Sequence, residues 1–203
     1  MDITQTFYDN LATQYDKLFL DWQSTTKEQA VILNKLFADN GFDGSAQILD
    51  CACGIGTQAI GLAAIGYSVT ASDISDGELD EKNNVKIRYM HADFCALSDT
   101  FTEQFDIVIA MDNALPHMLT SEDLEKAVRS ITGLIRPGGI FAASIRDYDS
   151  LLTEKPPYSP PYIHKTDKGQ RVSFQTWVWN GDNYRLTQYI IDDEEDLQIS
   201  KFE

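Results

Sequence analysis

The run Asp50-Cys51-Ala52-Cys53-Gly54-Ile55-Gly56 places a carboxylate, two thiols and two glycines side by side. Glycines in a turn between a strand and a helix let a ligand approach the backbone, and the helix N-terminus offers N–H groups to it. Gly54-Ile55-Gly56-Thr57-Gln58-Ala59 also fits the dinucleotide pattern G-x-G-x-x-G/A. Asp73, with Ile74 after it, closes a second apolar run, where a carboxylate can accept both hydroxyls of a ribose. On these residues alone a nicotinamide enzyme is an open reading. Three features favour a different nucleotide. Asp50 can engage a ligand ammonium, directly or through water, but repels a pyrophosphate. Two helical stretches precede the first strand and can fold over the site as a lid. Ala92-Asp93-Phe94 follows the third strand, where a carboxylate can meet an adenine amino group and an aromatic ring its face.

The remaining reactive side chains narrow the chemistry. Three cysteines, Cys51, Cys53 and Cys95, make an odd set without staple-like spacing, so no disulfide framework is expected. No Cys/His pair follows Cys51-x-Cys53 at zinc-ligand spacing; the thiols read as small packing residues, and no metal is expected. A net charge of −16 repels phosphate backbones, which argues against a nucleic-acid substrate. The acidic clusters at 76–81 and 192–196 read as solvated loops. No apolar run is long enough to cross a bilayer, and the start of the sequence lacks the basic and apolar regions of a signal peptide, so a cytoplasmic protein is expected.

The elements that must position these residues follow from periodicity. Residues 3–20 carry Phe7, Leu11, Leu18 and Phe19 at helical intervals. Thr25-x-x-Glu28 reads as a capping box opening a second helix that Asn40-Gly41 stops. Strands are predicted at 47–49, 67–71, 85–91, 105–110 and 140–145, with helices at 58–65 and from Thr120 or Ser121 to about Ile135. Strands alternating with helices imply a parallel sheet covered on both faces. Beyond residue 150, 156–161 is a stiff Pro-rich loop. Residues 172–179 and 184–191 alternate around Asn180-Gly181-Asp182-Asn183 as an antiparallel hairpin, and 197–202 adds a third strand.

Asp50, Gly54, Gly56, Asp73 and Asp93 in this order resemble the class I S-adenosylmethionine-dependent methyltransferases. Met111-Asp112-Asn113-Ala114-Leu115-Pro116-His117 looks like their motif after the fourth strand, and Leu134-Ile135-Arg136-Pro137-Gly138-Gly139 like the turn before the fifth. A closer similarity, to the glycine/sarcosine N-methyltransferase-like branch, is carried by Phe7-Tyr8-Asp9-Asn10-Leu11-Ala12, Tyr15-Asp16, Asp21-Trp22 and Ser144-Ile145-Arg146-Asp147-Tyr148-Asp149. The resemblance covers residues 1–150. It implies an α/β fold: a Rossmann-like, doubly wound, mostly parallel sheet with an N-terminal helical lid and a C-terminal antiparallel hairpin lid. Residues 1–150 would form the core with its N-terminal helices, and 151–203 the Pro-rich loop and β lid of the same domain.

The resemblance implies S-adenosyl-L-methionine as cofactor, held by Tyr15, Trp22, Lys27, Asp50, Ala52, Cys53, Gly54, Gly56, Asp73, Ile74, Ala92, Asp93, Phe94, Met111 and Asn113. Lys27 stands where the branch more often has Arg for the cofactor carboxylate, so a point charge replaces a fork. Methyl transfer is a direct displacement that needs alignment and exclusion of water. Tyr15, Asn113, His117 and Arg146 are the candidates for the reacting centre, with Arg146 suited to clamp an acceptor carboxylate bidentately. Each also has a plainer reading: Tyr15 as a packing aromatic, His117 as a hydrogen-bonding loop residue, Arg146 as the partner of Asp147 or Asp149. Tyr148, Trp177 and Trp179 read as the apolar face of the hairpin, with an aromatic cage for a methylated cation as the alternative.

Two departures from the family accompany the resemblance. Residues 75–84 are too short for a full crossover helix with its loops. The family's last helix and two strands have no counterpart before Glu203, so a sheet of about five strands with one exposed edge is expected. The leading expectation is a methyltransferase acting on a small-molecule acceptor, an amine or amino acid with a carboxylate. A catalytically incomplete cofactor-binding module with a regulatory or assembly role is the alternative, and the sequence leaves homo-oligomer formation open.

Overall fold

The computed structural model describes residues 3–75 and 86–203. The short crossover at 75–84 and the acidic cluster at 76–81 therefore lie, but for Ser75, outside the described residues. Two compact units emerge: one runs from Gln23 to Arg146, and the other joins Met1–Trp22 to Asp147–Glu203.

The first unit is built on five parallel strands, β1 (Gln47–Asp50), β2 (Ser68–Asp73), β3 (Ile87–His91), β4 (Phe105–Ala110) and β5 (Ile135–Ala143). Their order is β3-β2-β1-β4-β5. The chain winds outward from β1 in one direction and then from β4 in the other, so β1 and β4 flank the point where the winding reverses. Ligands of open parallel sheets bind outside the carboxyl ends of the strands at such a point.

The middle strands are apolar on both faces, as a covered parallel sheet demands. Ile48, Ile107 and Ile109 face one core, where α2 (Trp22–Asp39) contributes Leu33 and Phe37 and α3 (Thr57–Ala64) contributes Ala59 and Leu62. Leu49, Val108 and Ala110 face the other, against Leu97, Phe101 and the Ile131 of α4 (Ser121–Gly133). The Oγ1 of Thr120 accepts the Asp123 N–H at 3.1 Å and caps α4. α2 and α3 approach closely at Gly61, where an added Cβ would lie 2.4 Å from the Thr26 carbonyl oxygen.

Several boundaries differ from the sequence reading. α2 begins at Trp22, directly after Asp21, so Thr25 lies inside the helix rather than capping it. Asp21 is itself a preferred capping residue type, which the Thr25-x-x-Glu28 pattern outranked in the sequence. β5 starts at Ile135 and takes in the Pro137-Gly138-Gly139 turn as an irregularity of register opposite β4.

The second unit opens with α1 (Ile3–Leu11) and a 3₁₀ segment (Ala12–Leu18) and continues from α5 (Tyr148–Glu154) into a four-stranded antiparallel sheet. Its strands are β6 (Tyr162–Thr166), β7 (Gly169–Asn180), β8 (Asn183–Asp193) and β9 (Gln198–Phe202), in that order. The hairpin is tighter than the expected four-residue loop: Asn180 pairs with Asn183, leaving Gly181 and Asp182 as the turn. Gly181 has φ 62°, the conformation that glycine supplies in such turns. α5 and β6 were not expected. α5 is signalled only by its cap, where the Asp147 carboxylate accepts the Ser150 N–H at 3.1 Å.

The 3₁₀ segment is bound to this sheet. The register puts His164, Arg171 and Asp192 in one row across β6, β7 and β8. His164 Nε2 meets the Leu18 carbonyl at 3.2 Å, an Arg171 amino group donates to the Phe19 carbonyl at 3.1 Å, and Lys17 pairs with Asp192 at 2.6 Å. Asp192 and Glu194 thus belong to ion pairs, Glu194 facing Arg171 at 3.8 Å, which corrects the reading of 192–196 as a merely solvated cluster. Trp177, Trp179 and Tyr184 pack ring on ring, with centroids 4.8–6.5 Å apart. The Lys155 ammonium lies over the Trp179 ring, 5.9 Å from its centroid, where a methylated cation would otherwise sit. The three rings form the hairpin's apolar face.

Candidate functional site

The glycine-rich run joins β1 to α3, at the reversal point of the sheet. Gly54 and Gly56 adopt φ 51° and 87°, and Gly56 immediately precedes the helix. A side chain at Gly54 would meet nothing within 4 Å, so the backbone there is open to approach. The turn is fastened from within: the Gly56 N–H donates to the Cys53 carbonyl at 2.8 Å and the Cys53 N–H to the Ser72 carbonyl at 3.0 Å. Ala52 is half-buried between these anchors. Cys51 and Cys53 are buried, and burial pushes both thiols well above their usual range, which keeps them protonated and inert.

Asp50 ends β1 with 0% exposure, and neither carboxylate oxygen has a hydrogen-bond partner. Burial, reinforced by the Asp73 carboxylate, pushes its pKa up to about 8; Asp112 adds to this, and the nearby Ala52 and Ala59 N–H groups, which do not reach hydrogen-bond geometry, oppose it. Asp73, at the end of β2, accepts the Gly54 N–H at 2.8 Å and the Ser75 N–H at 3.0 Å. The Ile74 carbonyl meets His91 Nε2 at 2.9 Å. Ala92 is buried and donates its N–H to the Asp73 carbonyl, while Asp93 accepts the Cys95 N–H at 2.8 Å. Phe94 packs against the second core and Met111 against the first.

Beyond β4 the chain takes an unusual path. Asp112 and Asn113 both have left-handed backbones, φ 52° and 73°. Asp and Asn tolerate this better than other residues with a Cβ. The Asp112 N–H donates to Ser144 Oγ at 2.8 Å and the Asn113 N–H to the Ser144 carbonyl at 3.0 Å. Asn113 Oδ1 accepts the Arg146 N–H at 3.2 Å. His117 closes a 3₁₀ turn (Leu115–His117) on the same loop.

The structure therefore brings Asp50, Ala52, Cys53, Gly54, Gly56, Asp73, Ile74, Ala92, Asp93, Phe94, Met111, Asn113, His117 and Arg146 into one unit, at or just beyond the carboxyl ends of five adjacent strands. Lys27 is an exposed residue of α2 in that unit. Tyr15 and Trp22 fall in the second unit, where Tyr15 lies 6.0 Å from the Phe19 ring and Trp22 opens α2. Missing from the sequence reading were Gln58, Gln29 and the Asp112 side chain. Gln58 is buried on α3, and its Nε2 donates to Gln29 Oε1 at 2.6 Å and Asp112 Oδ2 at 2.8 Å. The available signal was a Gln heading the apolar stretch Ala59-Ile60-Gly61-Leu62.

An unpartnered buried carboxylate beside an open glycine turn fits a nucleoside ligand that carries positive charge, as S-adenosylmethionine does in its sulfonium and ammonium groups. Residues 48–139 match the family model described as a methyltransferase domain, and this match together with the fold supports a class I S-adenosylmethionine-dependent methyltransferase with S-adenosylmethionine as cofactor. Among curated proteins, the chain is 23% identical over 193 residues to the glycine/sarcosine N-methyltransferase of Aphanothece halophytica, covering 92% of this chain and 66% of the relative. It is 27% identical over 207 residues to the glycine N-methyltransferase of Rattus norvegicus, covering 91% and 69%. It spans 53% of a further glycine/sarcosine N-methyltransferase, from Parasynechococcus marenigrum. The fold is shared with a solved S-adenosylmethionine-dependent methyltransferase from Clostridium acetobutylicum, at TM-score 0.67 and 20% identity over 96% of this chain and 78% of that one. It is shared also with DesVI of Streptomyces venezuelae, at TM-score 0.75 and 18% identity over 94% and 80%.

No helix among the described residues is long and apolar enough to cross a membrane. Among them, no group of three or more His, Cys, Asp or Glu side chains could hold a metal ion.

Proposed function

We propose that this chain methylates the nitrogen of a small amine or amino acid that carries a carboxylate. The observation that carries the reading is an acidic residue ending one strand and a basic residue following another, at the carboxyl edge of one sheet. Asp50, anionic once ionised, ends β1, and Arg146 follows the end of β5 with its backbone tied to Asn113. A carboxylate there suits the cationic donor. A guanidinium suits an acceptor carboxylate, which it can grip with two parallel N–H···O bonds. The relatives named glycine and glycine/sarcosine N-methyltransferases support the same substrate class.

S-adenosylmethionine supplies an electrophilic methyl on a sulfonium. In this reading Arg146 and Asn113 would hold the acceptor by its carboxylate and turn its nitrogen toward the bound methyl donor. Nothing in the displacement needs a strong base when the amine arrives neutral. Asn113 and Arg146 would contribute by alignment.

The test is methyl transfer from labelled S-adenosylmethionine to glycine, sarcosine and a panel of amines with and without carboxylates. Turnover confined to carboxylate-bearing amines is expected. Arg146→Ala should raise the acceptor KM by about tenfold or more while S-adenosylhomocysteine binding changes by less than about threefold. Tight S-adenosylhomocysteine binding with no product from any acceptor would overturn the reading and leave a cofactor-binding module.

A further inference from the structure

Gln58 is an amide in a place where an apolar side chain would pack. It heads the stretch Ala59-Ile60-Gly61-Leu62 and is only 3% exposed. Its amide nitrogen has two hydrogens, and both are used: Nε2 reaches Gln29 Oε1 on α2 at 2.6 Å and Asp112 Oδ2 beyond β4 at 2.8 Å. A residue present for bulk alone would have left two buried donors unmatched, which proteins avoid.

The second acceptor is the informative one. Asp112 and Asn113 hold left-handed backbones in succession, a conformation that persists only where surrounding structure enforces it. From the β5 side, Ser144 receives both of their N–H groups. From the side of the glycine-rich loop, Gln58 holds the Asp112 carboxylate. The turn is thus gripped from two directions, and the second member of the turn, Asn113, carries the oxygen that fixes the Arg146 N–H. All of these residues lie within the Gln23–Arg146 unit.

We propose that Gln58 is a positioning residue: its buried amide fixes the left-handed Asp112–Asn113 turn and, through it, the placement of Asn113 and Arg146 on the acceptor side of the site. The assignment of an acceptor side rests on the proposed function, whereas the mechanical link does not. Gln58 touches neither cofactor nor acceptor in this scheme. It ties the helix that follows the cofactor loop to the loop that follows β4, so the two halves of the site keep one spacing.

The experiment compares Gln58→Leu, which keeps the bulk and removes both donors, with Gln29→Leu, which leaves the bond to Asp112 in place. The primary readout is amide hydrogen exchange at Asn113, whose N–H is bonded to Ser144. Gln58→Leu should speed that exchange by about tenfold or more, with Leu49 in β1 unchanged, and Gln29→Leu should move it by less than about twofold. In an Asp112→Gly background, where the left-handed conformation has no Cβ cost, Gln58→Leu should add less than about twofold. With glycine or sarcosine as acceptor, Gln58→Leu should lower kcat/KM by about tenfold while S-adenosylhomocysteine affinity changes by less than about threefold. Should Gln58→Leu fail to fold, Gln58→Glu retains the shape and sets a carboxylate against Asp112, and its exchange defect should shrink as acid restores an O–H donor. Unchanged Asn113 exchange in a folded Gln58 variant, or equal effects from Gln29→Leu, would overturn the proposal. Exchange is measured without any acceptor, so an absence of methyl transfer refutes the proposed function and leaves this inference to be judged by exchange alone.

Discussion

Uptake of S-adenosylmethionine should release a proton at neutral pH. Asp50 is wholly buried, lacks hydrogen-bond partners, and has its pKa pushed up to about 8 by burial and then by the Asp73 carboxylate. At pH 7 roughly nine in ten empty molecules then hold the neutral acid. A sulfonium or ammonium nearby favours the carboxylate, so binding ionises Asp50 and should set free close to one proton per ligand. Well below pH 8, each further pH unit should weaken binding by about tenfold, or about 1.4 kcal/mol. The empty protein shows the converse. An unfolded Asp titrates near pH 3.9, so between about pH 4 and 8 the folded state binds more protons than the unfolded state. Stability contributed by the neutral acid is therefore present at the low end of that window and declines as pH rises through it. Calorimetric titration in phosphate and in Tris at pH 7 measures the proton directly, because the two buffers differ in ionisation heat. Asp50→Asn should abolish the buffer dependence and flatten the pH dependence of affinity. Identical heats in both buffers with the wild-type protein, or an affinity constant from pH 6 to 8, would refute the reasoning.

Two further outcomes follow from packing and charge. Gly61→Ala should lower stability by about 1–3 kcal/mol, seen as a lower Tm, because the new Cβ would sit 2.4 Å from backbone oxygen Thr26 O and force α2 away from α3. Lys17→Ala should cost about 1 kcal/mol or less, since the pair with Asp192 is partly exposed, at 28% and 15%. The Lys17 hydrogen bond holds the Asp192 carboxylate below its usual range despite opposing burial, so this contribution is present above about pH 4 and is lost as pH falls through the folded value. Acid titration of stability in wild type and Lys17→Ala should converge at low pH.

Much of the parallel sheet was legible because its signals are local. Five apolar runs, with helical spacing between the first and second and between the fourth and fifth, point to five strands, and the glycines after β1 mark the ligand edge. Asp50, Asp73 and Asp93 could be placed at strand ends for the same reason. The Gln29–Gln58–Asp112 link escaped notice because its members stand 29 and 54 residues apart and each is an ordinary polar residue in isolation. The left-handed backbone at Asp112 and Asn113 has no signature beyond two tolerant residue types. The start of α2 was misplaced because two capping signals compete within one turn. Nor does any local pattern tell that Lys17, Leu18 and Phe19 bind strands made from residues far downstream.

That long reach has a consequence for biosynthesis. Gln23–Arg146 is one continuous stretch whose elements can pair as they leave the ribosome. The helical arm emerges ahead of this stretch, yet Lys17 must wait for Asp192, 175 residues later. At ordinary elongation rates that interval is roughly ten to thirty-five seconds. During it the Leu18 and Phe19 carbonyls have no sheet to bind, so the arm stays open to chaperones and proteases while the protein is being made.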